Sequence, residues 1–163
     1  MNPTLAAPAS GGRWRLLRRS LALLAATAVS LPAAATQLVP ANLTRLIGQS
    51  DLIVSGKVKS VTDGIDAKGV PYTEVTIAVG SSAKKKLSPR SDFKFRQYGL
   101  LKARKMPDGR FLMAQAPEGF PSWTRDEQVV AFMYKPASKT GLRTTVGLAQ
   151  GKFTVDGGRV TNE

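Results

Sequence analysis

After residue 50, short runs in which every second residue is apolar recur along the chain, separated by clusters of Gly, Pro, Asp and Ser. That pattern constrains the fold more than any other feature. Strict alternation places one set of side chains on each face of an extended strand. In residues 52–61, Leu52, Val54 and Val58 fall on one side and Ser55, Lys57 and Lys59 on the other. Gly56, in the middle of that run, signals a bulge or bend. Residues 72–79 place Thr73, Val75, Ile77 and Val79 inward and Tyr72, Glu74 and Thr76 outward. In residues 92–98 (DFKFRQY), Phe93 and Phe95 alternate with Lys94 and Arg96. Residues 128–134 (QVVAFMY) are apolar on both faces, as expected of the most buried strand.

Further strands are expected at residues 111–115, 142–149, 152–155 and 159–161, with turns at 107–109, 138–141 and 156–158. One short helix is expected at residues 41–49. There Leu43, Leu46 and Ile47 share a face and Asn42 supplies the N-cap. The two strands before residue 80 and the loop 63–71 read as a long hairpin. About seven short strands with one early helix make a mainly β chain. A small antiparallel OB-like barrel is the expected architecture, with a two-sheet sandwich as the alternative.

The first 35 residues do not share this pattern. Arg13, Arg15, Arg18 and Arg19 precede an eleven-residue apolar run, residues 21–31. Pro32 and the small residues Ala33, Ala34 and Ala35 follow, as before a signal-peptidase cut. The run is too short to span a bilayer, which takes about 20 apolar residues. A signal peptide at 1–35 is therefore expected, with a periplasmic or secreted product, residues 36–163, that carries no transmembrane segment. Arg18-Arg19 leaves both the general and the twin-arginine export routes open. The product has 20 lysines and arginines against 11 acids, a net charge of +9.

Neither Cys nor His occurs anywhere in the chain. An exported domain without disulfides depends on its apolar core. No Cys nucleophile, His base or catalytic triad can be assembled, nor a zinc site of the usual Cys/His kind. No cofactor or metal is implied. The 11 acids are scattered, and Asp63, Asp108 and Asp156 sit in turns, which argues against a paired-carboxylate hydrolase. Asp51 is expected to cap the helix end or the start of the first strand. Ser81-Ser82-Ala83-Lys84, followed by Ser91-Asp92 and Lys139-Thr140-Gly141, has the order of the serine β-lactamase motifs. Here the serine lies in a polar loop, Phe93 replaces the last element of the second motif, and the domain is too small. The string reads as coincidence, and the chain as a non-enzyme.

Charge supplies the positive signal. Lys84, Lys85, Lys86, Arg90, Lys94, Arg96, Lys102, Arg104, Lys105 and Arg110 lie in one stretch containing only Asp92 and Asp108 as acids. That stretch carries +8 of the +9 and would attract a polyanion. Phe93, Phe95, Tyr98 and Phe111 lie within it or beside it, as in barrels that bind single strands. The opposing reading is a solvated face with its phenylalanines in the core. Acidic proteins, acidic glycans and lipopolysaccharide are the partner classes expected. Nucleic acid is not, since exported proteins rarely meet it. A second candidate is the loop 117–123 (PEGFPSW), whose Phe120 and Trp123 form either an apolar interaction tip for a protein partner, such as a co-exported protease, or a plug on one end of a barrel.

Residues 43–87 also carry a likeness. A helix leads into Ser50-Asp51-Leu52-Ile53-Val54-Ser55-Gly56-Lys57-Val58, then a variable loop, then Tyr72-Thr73-Glu74-Val75-Thr76-Ile77-Ala78-Val79 and a lysine cluster. This resembles a group of exported bacterial domains of unknown function. It is similar, more distantly, to the netrin-like OB barrel of the tissue inhibitors of metalloproteinases. Residues 127–134 and 146–153 fit the bacterial group alone. The resemblance implies an OB-like barrel that binds a partner. The inhibitors use an N-terminal cysteine on the protease zinc and disulfides. This chain has no cysteine, so none of their functional residues carries over.

Overall fold

Leu52–Ile65 forms β1, the longest strand, and it pairs on both sides. The computed structural model describes residues 41–162. The signal-peptide expectation for residues 1–35 lies outside them. Pro71–Ala83 forms β2, antiparallel to β1, and Asp92–Tyr98 forms β3, antiparallel to β2. On the other side of β1 lies β6, Gln128–Met133, followed by β7, Lys152–Asp156, and β8, Arg159–Asn162. The sheet order is β3-β2-β1-β6-β7-β8, antiparallel throughout. Arg104–Lys105 (β4) and Phe111–Leu112 (β5) form a separate two-stranded ribbon. No helix among the described residues is long and apolar enough to cross a membrane.

The fold is thus mainly β with one short helix, but no closed barrel is formed among the described residues. β3 and β8 end the sheet and do not pair. The chain at 143–146 comes closest to closing it. Thr145 bridges Met133 of β6, and the Arg143 N–H donates to the Arg96 carbonyl of β3 at 2.7 Å. The strand expected at 142–149 reduces to that bridge because Gly147 and Leu148 take left-handed backbone angles, φ 64° and 59°. A short 3-10 helix, Leu148–Gly151, follows.

The core lies on one face of the bent sheet. Leu52, Val54 and Val58 of β1 meet Val75, Ile77 and Val79 of β2, Phe95 of β3, and Val129, Ala131 and Met133 of β6. Removing each of these side chains except Ala131 from water contributes about 1.5–3 kcal/mol. The other face of β6 carries a second cluster of Leu46, Phe132 and Val146, flanked by Ile53, Val130 and Phe153. β6 is thus covered on both faces, as its unbroken apolar run implies. Helix α1, Leu43–Gln49, supplies Leu46 alone; Leu43 and Ile47 remain exposed, contrary to the three-residue face expected. Asn42 caps it, accepting from the Arg45 N–H. Thr76 is buried on the nominally outward face of β2.

Gly56 sets the bend. The β1–β2 register shifts between Ser55 and Gly56 and again between Val58 and Ser60. A Cβ at Gly56 would overlap the Ala78 carbonyl oxygen and touch Ile77. Only glycine lets the two backbones approach this closely. Replacing Gly56→Ala is expected to lower the unfolding free energy by about 1–3 kcal/mol or more, as overpacking of a full site does. The check is a urea titration, in which the midpoint falls at unchanged slope. An unchanged midpoint would show that the strands part without cost.

Candidate functional site: a divided basic face

The ten basic residues do not form one patch. They fall at the two ends of β3, with Lys94 and Arg96 on its exposed face between them. With seven residues, β3 separates the ends by roughly 20 Å. Half of the cations are already engaged, several by acids brought in from outside the stretch.

At the first end, the 84–91 loop folds back on the helix. Lys84, at φ 65°, donates from Nζ to the carbonyls of Ile47, Gly48 and Ser50 at 2.6, 3.2 and 2.7 Å. These carbonyls lie at the end of α1, where the backbone has no helical partner, so Lys84 serves as its C-terminal cap. Lys85 reaches Asp51 at 2.7 Å, and Arg143 meets the same Oδ2 at 2.7 Å. The lysine hydrogen bond leads in holding the Asp51 carboxyl below its ordinary pKa. Asp51 is therefore an ion-pair hub rather than the cap expected of it. Burial, opposed by Asp51, lowers the pKa of Arg143. Ser82 accepts the Leu87 N–H, and the Lys84 ammonium is committed to the helix carbonyls.

On the face of β3, Lys94 lies opposite Thr76 and Arg96 opposite Glu74. Arg96 Nε donates to Glu74 Oε2 at 2.7 Å, a bond that raises the arginine pKa, and its guanidinium stacks 4.1 Å from the Tyr72 ring centre. Lys59 of β1 pairs with Asp92 at 2.8 Å. Phe93 and Phe95 point away from these cations; Phe95 is buried, and the two rings stack at 5.7 Å. Phe95 is thus committed to the core, while the partly buried Phe93 also lies 5.5 Å beneath the Arg143 guanidinium.

At the second end, Arg104 Nη2 donates to the backbone oxygen and the Oδ1 of Asp63. Asp63 Oδ2 also accepts the Leu101 and Lys102 N–H groups. Burial pushes the Asp63 carboxyl up, but Arg104 and the two amides outweigh it and hold its pKa below 3.8. Arg110 pairs with Asp108 at 2.6 Å. Lys86, Arg90, Lys94, Lys102 and Lys105 are exposed and make no ion pair or side-chain hydrogen bond among the described residues.

The loop 117–123 folds inward. Trp123 is only 8% exposed and meets Phe95 edge-on at 5.2 Å. Its Nε1–H donates to Gln97 Oε1, while Gln97 Nε2 donates to the Pro121 carbonyl. Lys152, 2% exposed, sets its Nζ 5.3 Å from the Trp123 ring centre and 2.8 Å from Glu127 Oε2. Trp123 thus occupies the core. Phe120 stays partly exposed and walls two clefts. One, of about 360 Å3, lies against Tyr98, Tyr134 and Leu142; the other, of about 440 Å3, lies against Leu100 and Pro117.

Asp63, Arg143 and the Lys152–Glu127 pair were not legible as key residues in the sequence. Each works through a partner at least 25 positions away, which no local pattern reveals. No group of three potential metal-ligating side chains occurs among the described residues. Comparisons with family models, with curated proteins and with solved structures each find no match.

Asp63 gives this region a pH signature. Its folded pKa is depressed, so its stabilisation is present above the unfolded value and lost as pH falls through the folded value. Wild type is expected to be more stable than Asp63→Asn at pH 6, and that advantage to shrink as the pH falls below about 4. Thermal melts across that range check this; equal melting temperatures at pH 6 would deny the carboxylate its anchoring role.

Proposed function

We propose that the chain is an exported, non-catalytic binding module that engages an acidic partner through the basic face of β3 and its flanking loops. One observation carries this reading: Lys86, Arg90, Lys94, Lys102 and Lys105 are exposed and, among the described residues, make no ion pair, while several of their neighbours are neutralised. Unengaged cations raise the local potential without holding the fold, which is the condition for steering and meeting an anion. The rest of the charge supports structure, as Lys84, Arg96 and Arg104 show. The non-catalytic part is supported by the state of the carboxylates. Asp51, Asp63, Glu74, Asp92, Asp108, Asp126 and Glu127 are all tied into ion pairs. Export rests on the basic-then-apolar pattern of residues 1–35.

A triple charge reversal, Lys86→Glu with Arg90→Glu and Lys94→Glu, tests the surface while leaving the Lys84 cap and the Lys85–Asp51 pair intact. Wild type is expected to bind heparin, the more weakly as salt rises, because exposed charges are screened beyond about 10 Å at 0.1 M. The reversed protein is expected to lose at least about tenfold in affinity, the equivalent of 1.4 kcal/mol. Equal binding by both proteins would remove this face from the account. Salt-insensitive binding of a protein partner would favour the loop 117–123, where Phe120, rather than the core residue Trp123, is the exposed contact.

A further inference from the structure

The β4–β5 ribbon carries apolar side chains that the polyanion reading leaves unexplained. Phe111 is 71% exposed, and Met113 and Leu101 are 59% exposed. These are three of the eight large hydrophobics that the described residues expose: Phe111 on β5, Met113 just after it, and Leu101 three residues before β4. Lys105 stands directly opposite Phe111, and Arg104 opposite Leu112. Directly opposed residues share a face. One face of the ribbon therefore holds Arg104 and the partly buried Leu112, tied to the body through Asp63. The other holds Phe111 and Lys105, with nothing among the described residues covering them. Met113 lies two positions beyond Phe111, and Leu101 sits close by through the Leu100 N–H to Ala114 carbonyl bond. Lys102 flanks Leu101, and Arg110 precedes Phe111.

We infer that this hairpin docks onto the surface of an anionic phospholipid bilayer. The geometry is that of exposed apolar side chains flanked by Lys102, Lys105 and the Asp108-paired Arg110. Phe and aliphatic side chains enter the headgroup–acyl boundary, while lysine stems lie along it with their ammonium groups at the phosphates. Positive charge near an anionic leaflet adds attraction that falls off within a Debye length. A purely polar anion, such as a soluble glycan, gives Phe111 and Met113 nothing to bury against. A bilayer satisfies both kinds of side chain at once. The base suits the task, because Asp63 gathers Arg104, Leu101 and Lys102 and holds the hairpin in a fixed attitude. This inference rests on the reading that the unpaired cations meet an anionic partner, and names that partner for the second end of the face.

The test compares the full chain with its double variant Phe111→Ser, Met113→Ser. Co-sedimentation is measured with vesicles of phosphatidylcholine alone and with one-quarter phosphatidylglycerol, and heparin affinity is measured in parallel. Both proteins carry the same residues 1–40, so the difference between them reports the hairpin. Both altered positions are exposed, and a matching thermal melt confirms that the variant is folded. Wild type is expected to prefer the anionic vesicles, and the variant to lose at least about tenfold in partitioning. Retained heparin binding alongside that loss supports lipid docking. A variant that partitions like wild type overturns the hairpin's role while leaving the polyanion reading intact. Wild type that ignores anionic vesicles but binds heparin overturns the lipid assignment, and makes a protein the occupant to seek. Failure to bind either overturns both readings.

Discussion

The close approach of β1 to β2 at Gly56 is the constraint on which the rest of the molecule depends. Up to Lys57, β1 is shared between β2 and β6. Beyond it, β1 leaves β6 and continues with β2 alone as far as Ile65. The bend between these halves gives one strand two neighbourhoods. Its first half builds the doubly covered centre, with the core on one face and Leu46 of the helix on the other. Its second half carries Asp63 to the point where the chain leaves β3. A straight β1 would have no route to both.

Charge is organised around that path. In the sequence the basic stretch looks almost uncompensated. In the fold, Asp51 stands just before β1, β1 contributes Asp63 near its end, and β2 contributes Glu74. Three of the ten cations are neutralised by these residues, Arg110 is neutralised within the stretch, and Lys84 is spent on helix carbonyls. The five that remain stand out by contrast. Elsewhere the fold places a charge where apolar packing would be expected. Lys152 lies almost fully buried with Glu127, and Glu127 also accepts the Thr124 N–H. Such a pair is not strong evidence for net stability, but losing either member would strand the other. It fixes the turn before β6 beneath the Trp123 ring.

Alternation made the faces of β2 and β3 legible. Val75, Ile77, Val79 and Phe95 lie in the core as their spacing implies, and Lys94 and Arg96 lie outside. Gly56 signalled its bend. Period-two patterning reports which side of a strand is wet, but not which strand lies beside it. Closure could therefore not be read: the barrel expected from seven short strands opens between β3 and β8, and left-handed angles at Gly147 and Leu148 interrupt the segment that nearly closes it. The helix misled in the opposite way. Leu43, Leu46 and Ile47 have the right spacing, but the seven-residue helix buries only Leu46 against Phe132 and Val146. Lys152 reads as an ordinary outward lysine because its partner is 25 positions away. The ten site residues were legible as a cluster in sequence; their division into structural and unengaged cations depends on Asp51, Asp63 and Glu74, which only the tertiary pairing delivers.

The central claim is that the unengaged cations, and not the whole basic stretch, form the working surface. Amide chemical-shift mapping during a titration with a heparin oligosaccharide tests it residue by residue. The account predicts shifts centred on residues 86–94 and 102–105. It predicts little change at the Lys84-capped end of the helix or in the loop 117–123. Shifts concentrated instead around Phe120 and its two clefts, or spread evenly over all the basic positions, would contradict it.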